Sequence, residues 1–331
     1  MSRKSTRVTA NQVARLSGVS QATVSYVLNN STTQKISEET RARVLRAVEE
    51  LGYTPHEAAR TLASGRSSIV LFVTPAFPAG FVVAQLFDLL SELLAEQGRT
   101  LLNHRASPAV PLADVVAALA PYAVISMLPL SEDEQSTFRA QGTRVEVIGF
   151  TEPEDAVGAE VVQPQRRIAR LQAEHLIDRG HTRMGYALPD GDDSALFSTP
   201  RLQAVREVCA AAGLPEPLAQ VVPLDPGGAA RAVDAWIAAG VTAICAFNDE
   251  VAIAVLGGAR ECAIAVPQQL AVVGVDDIPL AALVSPPLTS VRIAVEAMAR
   301  GLAQPLALES AESASRGLGV DETHIVLRES S

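Results

Sequence analysis

Between Gln21 and Asn29 the residues QATVSYVLN set two kinds of side chain at two helical phases. Gln21, Ala22, Ser25, Tyr26 and Asn29 recur at the i, i+1, i+4, i+5, i+8 spacing of one face, while Val24, Val27 and Leu28 take the opposite one. Carboxamides, a hydroxyl, a phenol and a methyl group are suited to the donor, acceptor and thymine-methyl patterns on base-pair edges in the DNA major groove. Gln21, Ala22 and Tyr26 are expected to touch bases, and Thr9, Ser20, Thr23, Ser25 and Asn29 to hold the helix on phosphates.

Catalysis finds no comparable footing. The sequence has no G-x-S-x-G elbow, P-loop, G-x-G-x-x-G or H-E-x-x-H, and its five histidines are scattered at 56, 104, 175, 181 and 324. Cys209, Cys245 and Cys262 have neither metal-ligand nor C-x-x-C spacing and read as small core residues. Trp236 reads as packing. Neither a metal nor a cofactor is expected, and the reading is not that of an enzyme.

A short set of elements must present the reading face. Thr9 is a natural N-cap for a first helix with Val13, Ala14 and Leu16 as its apolar stripe; Gly18 marks a sharp turn, Val19 plugs the core and Ser20 caps the second helix. Ser37, followed by Glu38 and Glu39, caps a third helix whose Val44, Ala47, Val48 and Leu51 close a small core. This is a helix-turn-helix unit. Residues 1–66 carry 10 Lys and Arg against 5 Asp and Glu, a net of +5; the whole chain carries 27 against 37, so the remainder carries 17 against 32, a net of −15. A basic head on an acidic body favours phosphate contacts by the head alone. Arg3, Lys4 and Arg7 form an arm that either meets phosphate or only solubilises the N-terminus.

Beyond Ser67, apolar strand-like runs at Ile69 to Val73, Thr100 to Leu102, Ala123 to Ser126 and Val145 to Ile148 alternate with helical stretches at Ala84 to Gln97, Leu112 to Leu119 and Glu132 to Ala140. The pattern restarts after Val161: helices at Arg166 to Arg179, Leu202 to Ala212, Ala230 to Ala239 and Glu250 to Cys262, strands at Met184 to Leu188, Ala243 to Ala246 and Ala271 to Val275. Two parallel-sheet lobes are expected, with a ligand site in the cleft at the carboxyl ends of their strands. Phe77 and Phe81, in the segment TPAFPAGF, either stack on a ligand ring or belong to the core.

The letters Val8-Thr9, Val13-Ala14, Gly18-Val19-Ser20, Thr23-Val24-Ser25, Val27-Leu28-Asn29 and Ser37 with Thr40-Arg41 resemble the headpiece of the LacI/GalR family of bacterial transcriptional regulators. The likeness continues through Tyr53-Thr54-Pro55 and Ala58-Ala59-Arg60-Thr61-Leu62, and in the second lobe through Gly180-His181, Asn248-Asp249, Val273-Gly274-Val275-Asp276-Asp277 and Val326-Leu327-Arg328. His56 stands where the family usually has Asn, and Tyr26 where several relatives have Arg.

The resemblance implies a small all-α helix-turn-helix headpiece (1–54), a hinge helix and linker (55–66), and an α/β two-lobed effector domain similar to periplasmic binding proteins (67–331). Its first lobe would take 67–161 plus 292–317 and its second 162–291 plus 318–331, with the helix Val295 to Leu308 crossing back to the first. It further implies that Leu62 wedges into the minor groove at the operator centre, and that Arg201, Asn248 and Asp276 bind the effector; a plain linker role for Leu62, turn-capping by Asp276 or Asp277 and an interdomain ion pair for Arg201 are the alternatives. The expected protein is a cytoplasmic homodimer, with no membrane segment and no C-terminal tetramerisation helix. It binds a palindromic double-stranded operator, most often as a repressor, under control of a small molecule of sugar or nucleoside type. A ligand-independent regulator with a degenerate cleft is the competing reading.

Overall fold

The computed structural model describes residues 8–28, 36–53, 67–76, 80–148, 163–191, 194–307 and 322–331. The chain divides into two compact units, Met1–Ser68 and Ile69–Ser331. The arm at Arg3, Lys4 and Arg7 and the hinge segment 55–66 lie outside the described residues.

The first unit is built from α1 (Ala10–Ser17), α2 (Gln21–Leu28) and α3 (Glu38–Leu51). Thr9 enters α1 in extended conformation, and Gln12 Oε1 accepts its backbone N–H at 2.7 Å. Gly18 closes α1 at φ +66°, a left-handed conformation that costs glycine nothing, and Val19 N–H donates back to Ala14 O at 3.1 Å. Ser20 Oγ then accepts Thr23 N–H at 3.1 Å, and Ser37 Oγ accepts Thr40 N–H at 3.3 Å to start α3. Val13, Ala14, Val24, Val27, Val44 and Ala47 form the buried core. One expectation fails: Leu16 is 47% exposed and Ser17 takes the inner position, its hydroxyl donating to Val13 O at 2.7 Å. At 100° per residue Ser17 falls between Val13 and Ala14, whereas Leu16 lies roughly 110° from their midpoint.

The second unit carries two sheets. In the first, β1 (Ile69–Thr74), α4 (Phe81–Glu96), β2 (Thr100–Arg105), α5 (Leu112–Leu119), β3 (Ala123–Ser126), α6 (Glu132–Ala140) and β4 (Arg144–Val147) make a parallel sheet of order β2-β1-β3-β4, with Val70 level with Leu101 and Ala123. The chain continues through α7 (Gln163–Asp178), β5 (Met184–Pro189), α8 (Ala195–Ala211), β6 (Leu218–Val222), α9 (Pro226–Ala238), β7 (Ala243–Ala246), α10 (Asp249–Glu261), β8 (Ala271–Val275), β9 (Thr289–Arg292), α11 (Val295–Ala307) and β10 (His324–Val326). The second sheet has the order β10-β9-β8-β7-β5-β6, parallel except for β10 against β9.

Although α11 follows β9 of the second sheet, its Val295, Ala299, Leu302 and Leu306 pack with Val70, Leu86, Leu90 and Leu94 of the first lobe. Its C-terminal carbonyls, which no helical amide can reach, are met by first-lobe donors: Leu306 O accepts from Arg99 Nη2 at 3.1 Å and from the Tyr122 hydroxyl at 3.2 Å. The Arg99 guanidinium lies 3.3 Å from the Tyr122 ring centroid. Trp236 is fully buried against the second sheet, its indole N–H donating to Leu218 O at 2.8 Å. Cys209 and Cys245 are buried and Cys262 is partly so. No described helix is long and apolar enough to cross a membrane.

Candidate functional site

The structure offers two surfaces that meet the chemistry of recognition. On α2, Val24 and Val27 seal the headpiece core, leaving Gln21, Ala22 and Ser25 exposed and Tyr26 partly exposed on the outward side. Thr9 and Ser20 are exposed at the starts of their helices, and the Ser20 and Thr23 hydroxyls lie 2.9 Å apart. Asn29 and Leu62 lie outside the described residues.

The second surface is a cavity of about 300 Å³ between the lobes, at the carboxyl ends of both sheets. Arg201, on α8, is only 5% exposed and lines it. Its Nε donates to Gln165 Oε1 at 2.6 Å and its Nη1 to Phe247 O at 2.5 Å, while the guanidinium lies 4.9 Å from the Phe247 ring centroid. Two protein acceptors and an aromatic face thus orient the fork. Asp276 follows β8 at φ +104°, a conformation rarely tolerated by a residue with a side chain, and its backbone N–H donates to Val291 O at 2.8 Å. Burial pushes its carboxyl up to about 7; Arg201 opposes that rise, and Asp249 and Glu250 add to it.

The adjacent acid has another job. Asp277 is bound by Arg292 Nε at 2.7 Å and Arg328 Nη2 at 2.6 Å, which joins β9 to the segment after β10. The Asp277 carboxylate is thus held by two arginines, whereas Asp276 lines the cavity.

Asn248 also lines the cavity, yet both ends of its amide are engaged. Oδ1 accepts Val251 N–H at 3.0 Å as the N-cap of α10, and Nδ2 donates to Glu250 Oε2 at 3.0 Å. Behind it Asp249 is fully buried, accepting Ser290 Oγ–H at 2.5 Å and Ile278 N–H at 2.8 Å, and burial pushes its carboxyl up to about 7. The expected role of Phe81 is corrected. As the first residue of α4 it is 40% exposed and does not line the cavity; helical rotation brings Val82, Val83 and Leu86 there instead. Phe77 lies outside the described residues.

Sequence reasoning missed Gln165, Asp190 and Ser194 as lining residues, and Asp249 as the buried group behind the segments that carry Asn248 and Asp276. The run Asn248-Asp249-Glu250 at a strand-to-helix junction was the available signal for Asp249. Among the described residues no cluster of His, Cys, Asp and Glu is placed to hold a metal.

Comparison with known proteins follows this division of labour. Residues 9–56 match the bacterial regulatory proteins of the lacI family, and residues 173–331 match a periplasmic binding protein-like domain. The transcriptional regulator GalS of Salmonella typhimurium is 32% identical, the alignment covering 96% of this chain and 93% of that protein. CelR of Thermobifida fusca is 31% identical over 98% of each chain. Among solved structures, a lac repressor dimer bound to operator and the anti-inducer ONPF shares the fold with a TM-score of 0.78 at 21% identity, covering 98% of this chain and 99% of that one. A CelR–cellobiose complex superposes with a TM-score of 0.63 at 27% identity, over 98% and 100% of the two chains. A helix-turn-helix head joined to a two-lobed body, with identity running along nearly the whole length, is the organisation of a DNA-binding transcription regulator and not of an enzyme: the chain belongs to the LacI family of bacterial regulators.

Proposed function

We propose that this chain acts in the cytoplasm as a homodimeric repressor of a palindromic operator, released or tightened by a small molecule held in the interlobe cavity. Gln21, Ala22 and Tyr26 read base edges; Thr9, Ser20, Thr23, Ser25 and Asn29 hold α2 on the phosphates; Leu62 wedges the minor groove at the site's centre. The single observation carrying the operator reading is the partition of α2, with valines sealing the core and polar or small side chains left outward. Effector control rests on Arg201 and Asp276 sharing one cavity bordered by both lobes. A ligand that prefers one lobe arrangement shifts the population of DNA-competent dimers by its differential affinity for the two.

Selection of bound DNA from a random pool by the purified full chain, repeated with Leu62→Ala, tests the DNA half. The expected result is a two-fold symmetric site whose affinity falls by tenfold or more in the variant. An enriched site without symmetry, or one bound equally by Leu62→Ala, would contradict the dimer or the hinge respectively.

A further inference from the structure

The two lobes are joined where β9 ends. Arg292 is its last residue, Ile293 and Ala294 follow, and α11 begins at Val295 within the first-lobe core. β10 lies against β9 at this exit, with His324 level with Arg292 and Ile325 with Val291. Two residues span at most about 7 Å of chain, which leaves little slack. What holds residues 290–292 therefore sets the direction in which α11, and the lobe packed on it, leaves the second sheet.

The holder is the turn after β8. Asp276 N–H donates to Val291 O at 2.8 Å, and Asp277 N–H to Ser290 Oγ at 3.0 Å. The Asp277 side chain, 1% exposed, is gripped from both crossing strands. Its Oδ2 accepts Arg292 Nε–H at 2.7 Å and also meets Arg292 Nη2, a two-pronged contact that fixes orientation as well as distance. Its Oδ1 forms an ion pair with Arg328 Nη2 at 2.6 Å. Arg328 is in turn fixed to the sheet, Nη1 donating to Leu288 O at 2.7 Å and its backbone N–H to Thr289 Oγ1 at 3.0 Å. The grip holds an unfavourable backbone: Asp276 and Asp277 lie at φ +104° and +50°, consecutive residues with side chains at positive φ. Ile293 and Thr323, beside the two crossing strands, line the same cavity as Asp276. An ion pair kept for stability alone can sit anywhere in the lobe, as Arg206 does with Glu216 on the exposed side of α8; this one sits where the lobes join.

We infer that Asp277, with Arg292 and Arg328, is a latch that fixes the angle between the lobes, and, resting here on the proposed effector site, that a ligand on Asp276 acts on the first lobe through it. Movement of the Asp276 carboxyl turns the peptide it shares with Asp277, changes the grip on Arg292 and redirects α11. Asp277 is on this view a positioning residue that touches no ligand.

Interlobe distances in the ligand-free full chain test the latch. Spin labels at Asp133→Cys on α6 and Ala211→Cys at the end of α8, both exposed, report the lobe angle by double electron–electron resonance. A Cys262→Ser background and dilution with unlabelled chain restrict the signal to these intrachain pairs. Asp277→Asn, which keeps the shape and removes the charge, should move the mean distance by about 2 Å or more, or broaden it by as much. Arg292→Gln, at a side chain that is half exposed, should do the same and decides the matter alone if Asp277→Asn does not fold. Arg206→Gln, which removes an ion pair within the second lobe, should leave the distance unchanged. Parent-like distances in the latch variants overturn the latch, as does an equal change in Arg206→Gln. Operator DNA selected from a random pool tests the consequence: with the lobe angle unfixed, Asp277→Asn should bind it at least about fivefold less tightly. A changed distance with unchanged operator affinity overturns the regulatory link and leaves the latch. Failure to select any operator counts against the DNA reading, and the distances still decide the latch.

Discussion

At the scale of single residues, the cavity depends on a buried carboxylate that does not face it. Asp249 ties α10 to β9 through Ser290 and to the turn after β8 through Ile278 N–H, so the segments that present Asn248 and Asp276 are cross-linked behind the lining. It fits because position 274 is glycine: a Cβ there would lie 2.1 Å from Asp249 Oδ1 and 3.0 Å from Leu288 Cδ2. Gly274→Ala should therefore destabilise the second unit by about 1–3 kcal/mol, the usual cost of overpacking a filled core, read as a fall in the urea midpoint. An unchanged midpoint would mean the carboxylate has another place to go. Tyr26 belongs to the other surface. Its partly exposed phenol on α2 can discriminate only the base pair it meets, so Tyr26→Ala should relax preference at one symmetric pair of operator positions, at about 1–3 kcal/mol for a direct base contact. Equal weakening on every DNA sequence would assign Tyr26 to phosphate instead.

At the scale of elements, the second lobe shows how a helix sets the height of strand ends. Gln172 of α7 is fully buried and its Nε2 lies 2.9 Å from Ala246 O, 2.9 Å from Val273 O and 3.2 Å from Gly274 O. Those carbonyls close β7 and β8, just before Phe247-Asn248 and Val275-Asp276, so one side chain registers both site-bearing junctions against α7. Gln172→Leu, of similar size but without the donor, removes these buried hydrogen bonds and should cost about 1–3 kcal/mol; thermal melts of variant and parent would read it, and an equal or higher melting temperature would refute the role.

Such a contact is invisible in sequence, where Gln172 is one polar letter within an amphipathic helix. Most helices and several core strands were legible because their periods are set by burial on one side or both: the strands at 123–126, 243–246 and 271–275 are buried throughout, whereas the four-residue β9 inside the second sheet was not. β6 was not, because it is an edge strand with no period-2 burial, only Val222 being buried, and it lies between prolines 217 and 223. The helical stretch expected from Leu202 starts earlier, at Ala195, with Pro200 inside the helix. The residues of the cleft were legible where a motif carried them, as with Arg201, Asn248 and Asp276, and illegible where the partner is brought by tertiary contact, as with Gln165. Phe81 illustrates the limit: residue type suggested ring stacking, but helical phase decides which neighbours turn inward.

At the scale of the whole molecule, stability and recognition pull against each other in the body. A carboxyl whose pKa rises on folding binds more protons folded than unfolded between its ordinary value near 4 and its folded value, so it lowers stability as pH climbs through that window. Asp249 and Asp276 are both pushed up to about 7, chiefly by burial. His175 and His181, held below their ordinary value by burial, act in the opposite sense, adding stability as pH rises through their folded pKa toward 6.5. A difference measurement separates these. Asp276→Asn resembles the protonated acid, so against the parent it should melt at nearly the same temperature near pH 4 and a few degrees higher above about pH 7, at roughly 2–4 °C per kcal/mol. A melting difference that does not change with pH would remove Asp276 from the linkage. Where the difference grows as predicted, the native aspartate is a residue kept at a cost to folding. Its neighbour Asp277 is held by Arg292 and Arg328, whereas the Asp276 side chain lines the cavity near Arg201. The pH dependence of stability then reports on one of the two groups on which the proposed effector site rests, because the carboxyl that burial raises is the one that lines the cavity.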